Sequence, residues 1–247
     1  KNTNTIKELT EDVKTITLGS EDFIANVVAE EGGSFGDIYV RGFQRNDAGE
    51  ILVGTNGLPK LTSKKTVKVG NANPDWTGGW SNTFRYKNLS LNVLIDTKQG
   101  GKIVSFTDAV LSGYGSTART LAGREGGIVF PGVLDSGERN TKEINAETLW
   151  TTLGGRNNPV GEVFVYDASF IRLKEISLSY SFPKSVLGKL PFTGLSLGIY
   201  GKNLCYLQNK AGIFDPEMTV GTGNNQALEA FALPSTHSFG INLNVSF

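Results

Sequence analysis

The sequence predicts an all-β fold of antiparallel strands, on three observations. The chain ends "HSFGINLNVSF", where Phe239, Ile241, Leu243, Val245 and Phe247 alternate with Ser238, Gly240, Asn242, Asn244 and Ser246. Side chains of a strand point to opposite faces in turn, so one face of this segment is apolar and the other polar. Further alternating runs come in pairs joined by polar connections. The composition, with 31 Gly, 14 Phe, 7 Tyr and 3 Trp in 247 residues, suits strands and turns. Such alternation fits a soluble sheet with one buried face. It equally fits a membrane barrel, with lipid on one side and a wet lumen on the other.

Composition narrows the function classes. The net charge is +0 and the pI about 6.8, so no electrostatic case exists for a nucleic-acid partner. Hydrophobic residues make up 38% and the mean hydropathy is −0.16. No run approaches the roughly 20 apolar residues of a spanning helix, which excludes helical membrane proteins only. Barrel strands escape such a scan because half of each is polar. One cysteine, Cys205, allows no internal disulfide, and with one histidine, His237, the chain offers no structural zinc site. No metal and no cofactor is expected. "KNTNTIKELTEDVKTITLGS" at the start has no signal-peptide core, so a signal has been removed or this is the C-terminal piece of a longer chain.

Along the chain, "FGDIYVRGF" reads as a strand that pairs with "GEILVG" across the Asn46–Gly49 turn. "TFRYKNLSLNVLID" is the clearest hairpin. Phe84 and Tyr86 alternate, Lys87-Asn88 turns, and Leu89, Leu91, Val93 and Ile95 alternate again. A second hairpin runs "SFIRLKEISLSYSF", "PKSVLGKLPFTG", "LSLGIYGKNLCYL". Ile176, Leu178, Tyr180 and Phe182 share one parity, and Ile171 and Leu173 the other. The switch at Lys174-Glu175 suggests a bulge or the end of the apolar band. Pro183 stops the strand. Connections at 87–88 and 183–194 are short, whereas 105–166 and 208–233 are long. That asymmetry suits a barrel with short periplasmic turns and long extracellular loops. Within the first long loop, "NAETLWTTLGG" predicts a short helix capped by Asn145 and stopped by Gly154-Gly155.

Catalytic motifs are weak. "GGSFG" places Ser34 in a nucleophile-elbow pattern, and Asp215 and His237 follow in hydrolase order. The elbow needs a helix after it, yet "DIYVRGF" reads as a strand, so a glycine turn is the better reading. "GYGSTA" at 113–118 lacks the strand–turn–helix setting of a dinucleotide loop. "FDPEM" at 214–218 has two carboxylates but no set spaced for calcium. Asn88-Leu89-Ser90 and Asn244-Val245-Ser246 match the glycosylation pattern inside strand or turn, as chance allows. No enzyme is predicted. Aromatics are more informative: Trp76, Trp80, Phe84 and Tyr86 dot one strand, and Tyr180, Phe182, Tyr200 and Tyr206 lie near other strand ends. Girdles at two membrane interfaces would place them so, with Trp76, Trp80, Tyr86 and Tyr180 as the interface set.

These residues resemble a known family. "GNANPDWTGGWSNTFRYKNLSLNVLIDTKQGGKI", "SFIRLKEISLSYSFPKSVL", "LSLGIYGKNL" and "GIFDPEM" are similar to barrel segments of SusC/RagA-class TonB-dependent outer-membrane transporters. "GVLDSGERNT" with "INAETLW" resembles the family's large loop. The likeness covers most of 30–247. Before the last strand the family has a Tyr-Pro…Pro-Arg-Thr run; here "FALPSTHSF" has Phe231, Pro234 and no Arg.

The resemblance implies that 1–247 is the C-terminal part of a roughly 22-stranded transmembrane barrel, supplying its last six or seven strands. The plug and N-terminal strands would lie outside it, and 105–166 and 208–233 would be extracellular loops. It implies a Gram-negative outer membrane and import of an oligosaccharide or peptide. A SusD-like surface lipoprotein would cap the barrel, and the TonB complex would act through the plug. Phe239, Ile241, Leu243, Val245 and Phe247 would be the terminal signal read by the barrel-assembly machinery. Trp150, Arg156, Asp215 and Glu217 would face cargo or lid: Trp for stacking on a sugar, the charged groups for hydrogen bonds. The alternative for these four is that they only hold the loops together. The rival from another class is a soluble β-sandwich that binds glycan, with the apolar face of 237–247 buried against a second sheet.

Overall fold

The computed structural model describes residues 1–10, 12–21, 24–188, 191, 193–221 and 223–247. Four strands come first: β1 (Thr15–Glu21), β2 (Ala25–Glu30), β3 (Asp37–Val40) and β4 (Val67–Asn71). The hairpin β5 (Trp76–Tyr86) and β6 (Leu89–Gln99) follows. Next are β7 (Lys102–Ser105), α1 (Phe106–Gly113), β8 (Ile128–Val129), β9 (Glu143–Ile144), α2 (Ala146–Leu153) and β10 (Val165–Asp167). The chain finishes with β11 (Phe170–Ser181), α3 (Lys184–Leu187), β12 (Gly194–Asn209), β13 (Leu228–Glu229) and β14 (Ser238–Ser246).

Five strands form one antiparallel wall in the order β14-β12-β11-β6-β5. Register sorts its side chains into two faces. Phe84, Leu91, Leu178, Ile199 and Ile241 stand side by side across all five strands. The next row on that face is Tyr86, Leu89, Tyr180, Leu197 and Leu243. The opposite face has Thr83, Asn92, Ser177, Tyr200 and Gly240 in one row, and Arg85, Ser90, Ser179, Gly198 and Asn242 in another. The apolar face is bare: Phe239 is 75%, Ile241 73% and Leu243 63% exposed. Among the described residues no second sheet covers these side chains, which overturns the sandwich alternative. Trp76 and Tyr86 sit at opposite ends of β5, about 33 Å apart along the strand at ~3.3 Å per residue. At the tilt usual in membrane barrels, about 40°, this spans ~25 Å, the height of an apolar band flanked by aromatics.

The register of the wall has local causes. Lys87 takes φ 52° in the tight turn between β5 and β6. The bulge predicted at Lys174 is present, since register shifts between Leu173 and Glu175 against both neighbours of β11. β11 ends at Ser181, two residues before Pro183. Residues 189, 190 and 192 of the following connection lie outside the described residues. Tyr200 lies over Gly240 so closely that a Cβ there would meet the ring at 2.4 Å. One position along, Phe239 covers Gly201 from the other face. The two aromatic–glycine contacts hold β14 in one register against β12, because a one-residue slip would reverse every side chain.

Nearly all the buried core lies outside the wall, in a cap built from 24–72, 100–169 and 210–230. β1 to β4 form an antiparallel sheet in sequence order. β7 lies between β10, antiparallel, and β13, parallel, and so ties three chain segments together. One cluster joins Ile24, Val27, Ile38, Val40, Val104, Phe106, Phe164 and Leu228. A second joins Val53, Phe130, Ile144, Leu149, Leu153 and Val160. Helix α2 starts where predicted, with the Asn145 side chain accepting from the Glu147 N–H at 2.7 Å. Helix α1 is unforeseen; Ser105 caps it, accepting from Asp108 N–H at 3.0 Å. The backbone of α1 touches the end of α2. A Cβ on Gly113 would sit 2.2 Å from Gly155 N, and Gly155 N–H donates to Ala109 O at 2.8 Å.

Three expectations change. The stretches 105–166 and 208–233 carry helices, strands and much of the core, with residue 222 outside the described residues. "GEILVG" does not pair with β3, whose neighbours are β2 and β4. Residues 51–53 make only isolated bridges, including Arg45 with Ile51 and Val53 with Pro59. Among the described residues the wall has five strands, not six or seven, because the N-terminal strands form a sheet of the cap.

Candidate functional site

The cap meets the wall through an ionic cluster on the polar face. Arg172 projects from β11 and is only 2% exposed. It pairs with Asp96 of β6 at 3.2 Å and with Glu217 of the loop before β13. Its guanidinium lies 5.4 Å from the Phe170 ring centre and 5.5 Å from that of Tyr206. Lys174 reaches Asp96 from the other side at 3.3 Å. A buried arginine needs such partners, since an unpaired charge out of water costs several kcal/mol.

Asp215 lies beside this cluster and is saturated with donors. It accepts from the Tyr206 hydroxyl at 2.5 Å, Glu217 N–H at 2.9 Å, Ser235 N–H at 3.0 Å and the Ser235 hydroxyl. Burial pushes its pKa up, but the hydrogen bonds from Ser235 and Tyr206 outweigh this and hold it below the usual carboxylate value. Asp215, with its acceptors occupied, and Glu217, paired with Arg172, link the loop to the wall.

The other two predicted contact residues lie elsewhere. Trp150 is on α2, partly buried against the second core, and lines a cleft of about 590 Å³ with Tyr114, Arg124, Asn145 and Glu147. Its indole N–H has no hydrogen-bond partner among the described residues. Arg124 is engaged with the carbonyls of Thr120, at 3.0 Å, and Gly115. Arg156 is exposed after α2, without an ion pair among the described residues. The structure thus brings Asp215 and Glu217 together and leaves Trp150 and Arg156 at a different part of the cap.

A second cleft lies between α1 and residues 213–218, with Glu229 in its lining. Nearby, Asp108 accepts from the Tyr166 hydroxyl and pairs with Arg119 at 3.1 Å. Burial and the Asp108 carboxylate push the Tyr166 phenol well above its ordinary pKa. Sequence reasoning missed Arg172, Glu229 and Asp108. The Ser105-x-x-Asp108 spacing before an apolar run is a helix-start signature that could have found α1 and, with it, Asp108. Nothing local marks Arg172, whose partners come from other strands and loops. The elbow reading fails: the Ser34 hydroxyl donates to Asn4 O at 3.1 Å, its N–H donates to Asp37 at 3.0 Å, and β3 follows. Asp215 is bonded to Tyr206 and Ser235 instead.

A bare apolar face, a polar face behind it, aromatics at both ends and a packed cap define a section of membrane-barrel wall with its loop assembly. Comparison with known proteins gives the kind of barrel. No protein-family model matches the chain. It is 28% identical to TonB-dependent receptor P3 of Formosa agariphila over 225 residues, which is 88% of this chain and 21% of that protein. It is 26% identical to TonB-dependent receptor P26 of the same organism over 200 residues, 78% of this chain and 19% of the relative. The RagAB peptide importer in its closed-closed state superposes with a TM-score of 0.62 at 20% identity, covering 97% of this chain and 25% of that one. The open-open state gives 0.58 at 19% identity, with 98% and 25% covered. The chain thus spans about a fifth of the curated relatives and a quarter of the solved chains. Its homologues are TonB-dependent receptors, and its fold is that of the SusC/RagA-like barrel transporters.

Proposed function

We propose that this chain is the C-terminal wall and loop section of an outer-membrane, TonB-dependent importer of oligosaccharides or peptides in a Gram-negative bacterium. The observation that carries the reading is the five-strand wall, apolar and bare on one side and polar on the other. Lipid suits the first face and an aqueous or plugged lumen the second. Trp76 at one end of β5 and Tyr86 and Tyr180 at the other serve as interface girdles, with Trp80 four residues inward of Trp76. The free edge of β14 pairs with a strand outside this section, and Phe239 to Phe247 serve as the assembly signal. The cap at 105–166 and 208–233 faces the cell exterior, where a SusD-like lipoprotein closes over it and the TonB complex acts through the plug. Trp150 and Arg156 contact cargo or lid, while Asp215 and Glu217 position the loop. The section performs no covalent chemistry; the relatives are receptors and transporters, which supports this.

The test is uptake by cells that carry the full-length protein. Labelled oligopeptide or oligosaccharide should enter only when a working TonB complex is present. Uptake that persists after loss of TonB would sink the reading.

A further inference from the structure

We propose that the cleft between α1 and residues 213–218 receives a basic side chain, lysine or arginine, of a peptide cargo. This rests on the import reading and narrows its substrate class. The cleft has a volume of about 450 Å³, within the range of small-molecule pockets. Its apolar walls are Leu111, Ile213, Phe214 and Met218. In its lining lies Glu229, 1% exposed. One carboxylate oxygen of Glu229 accepts from the Ser105 hydroxyl at 2.5 Å and the other from the Thr107 hydroxyl at 2.6 Å.

Both donors are neutral. No Lys, Arg or His pairs with Glu229 among the described residues. The other carboxylate of the lining, Asp108, is matched by Arg119 at 3.1 Å. With Asp108, Glu229 and Arg119 all in its lining, the cleft carries one carboxylate in excess, held in place by hydroxyls and matched by no cation among the described residues. A carboxylate so buried gains most from a charged donor. Lysine and arginine bring that donor on an aliphatic stem, which lies favourably along apolar walls. A neutral sugar offers hydroxyls to those walls and no charge to Glu229. Location agrees with a cargo role. The segment that forms one wall of the cleft is tied to the polar face of the barrel by Glu217 with Arg172 and by Asp215 with Tyr206.

The test is calorimetric titration of the full-length transporter with two hexapeptides that differ only in lysine against norleucine. The lysine peptide should bind about tenfold tighter or more, the scale of a hydrogen bond to a charged group. Glu229→Gln keeps the hydroxyl partners and should abolish that preference while leaving the norleucine peptide unchanged. Ile213→Lys, at a position 61% exposed, should abolish it too by supplying the cation from within, without disturbing the buried site. Equal affinities in the wild type, or a preference that survives both variants, overturn the proposal. Binding of neither peptide also overturns it. TonB-dependent uptake of an oligosaccharide by the same cells would then leave the import reading standing, and its absence would remove both.

Discussion

The wall and the cap obey opposite rules of burial. In the cap, Ile24, Ile38, Val104, Phe164 and Leu228 are sealed inside a core that the chain makes for itself. In the wall, residues of the same type, such as Ile241, Leu243 and Phe239, are exposed on a sheet that no second layer covers among the described residues. Apolar side chains are stabilised in the cap by one another and in the wall by a lipid solvent. One chain therefore contains a water-soluble kind of architecture seated on a membrane kind. Arg172, Asp96 and Glu217 mark the seam.

Substitutions can break or sharpen this contrast. The largest effect is expected from Phe164→Ala, fully buried in the cap. It should cost about 3–5 kcal/mol of cap stability, the scale for removing a core aromatic. Phe239→Ala on the wall should leave the cap unchanged. Denaturant unfolding of the full-length protein, with hydrogen exchange read separately over 100–169 and 194–247, makes the comparison. Equal losses in the cap would break it.

Next comes charge placed on the wall. Phe239→Arg, in the row with Asn82 near the middle of β5, should destabilise the protein in lipid vesicles by about 2–4 kcal/mol, as for arginine near the midplane of a barrel's lipid face. Asn242→Arg, three residues along on the polar face, should have little effect. Urea unfolding in vesicles separates the two, and a reversed order would exchange the assigned faces.

The seam should respond less. Arg172→Leu removes the shared partner of Asp96 and Glu217, whose side chains keep 27% and 40% exposure. Water and Lys174 can compensate the carboxylates, so the cost should be about 2 kcal/mol rather than the ~3–5 of a fully buried pair. Faster proteolysis within 210–236, with wall strands still protected, is the expected signature. Protection of that loop unchanged from wild type would mean the ion pairs do not hold it.

The smallest effect is with pH. The folded-state pKa of Asp215 lies below its ordinary 3.8. Its contribution to loop stability is therefore complete above that value and fades as pH falls through the lower folded one. Cleavage by pepsin in 210–236 should rise only below about pH 4. Ser235→Ala removes the hydroxyl donor to Asp215 and should move the onset to higher pH. An onset unmoved by this change would show that Asp215 does not control the loop.

Much of the wall was legible in the sequence. Residues 84–95, 176–182 and 239–245 advertise their faces by strict alternation, and the structure forms the two hairpins as read, β5 with β6 and β11 with β12. The α2 helix was legible from its Asn145 cap and Gly154 stop. The cap was not. β2 is buried at most of its positions, so "ANVVAE" shows little alternation. β7, β10 and β13 are four residues or fewer and become a sheet only by long-range pairing. Too short to carry a period, they leave nothing for a pattern to detect. The candidate site divided likewise: Trp150 and Arg156 stand at the cap surface, whereas Tyr206 and Ser235 converge on Asp215 and Arg172 on Glu217.

The sequence by itself determined the two-faced strands, their short turns, the change of parity at Lys174-Glu175 and the resemblance to a transporter family. Each of these is a local property, set by alternation, turn chemistry or a short run of residues. The tertiary structure alone decided that the long connections pack into a cap with its own core, and that Glu229 is buried with no cation paired to it among the described residues. Both depend on contacts between residues about 100 or more positions apart, such as Ser105 with Glu229, separated by 124 positions. No local pattern encodes such a meeting, because the side chains acquire a common environment only once the chain has closed around them.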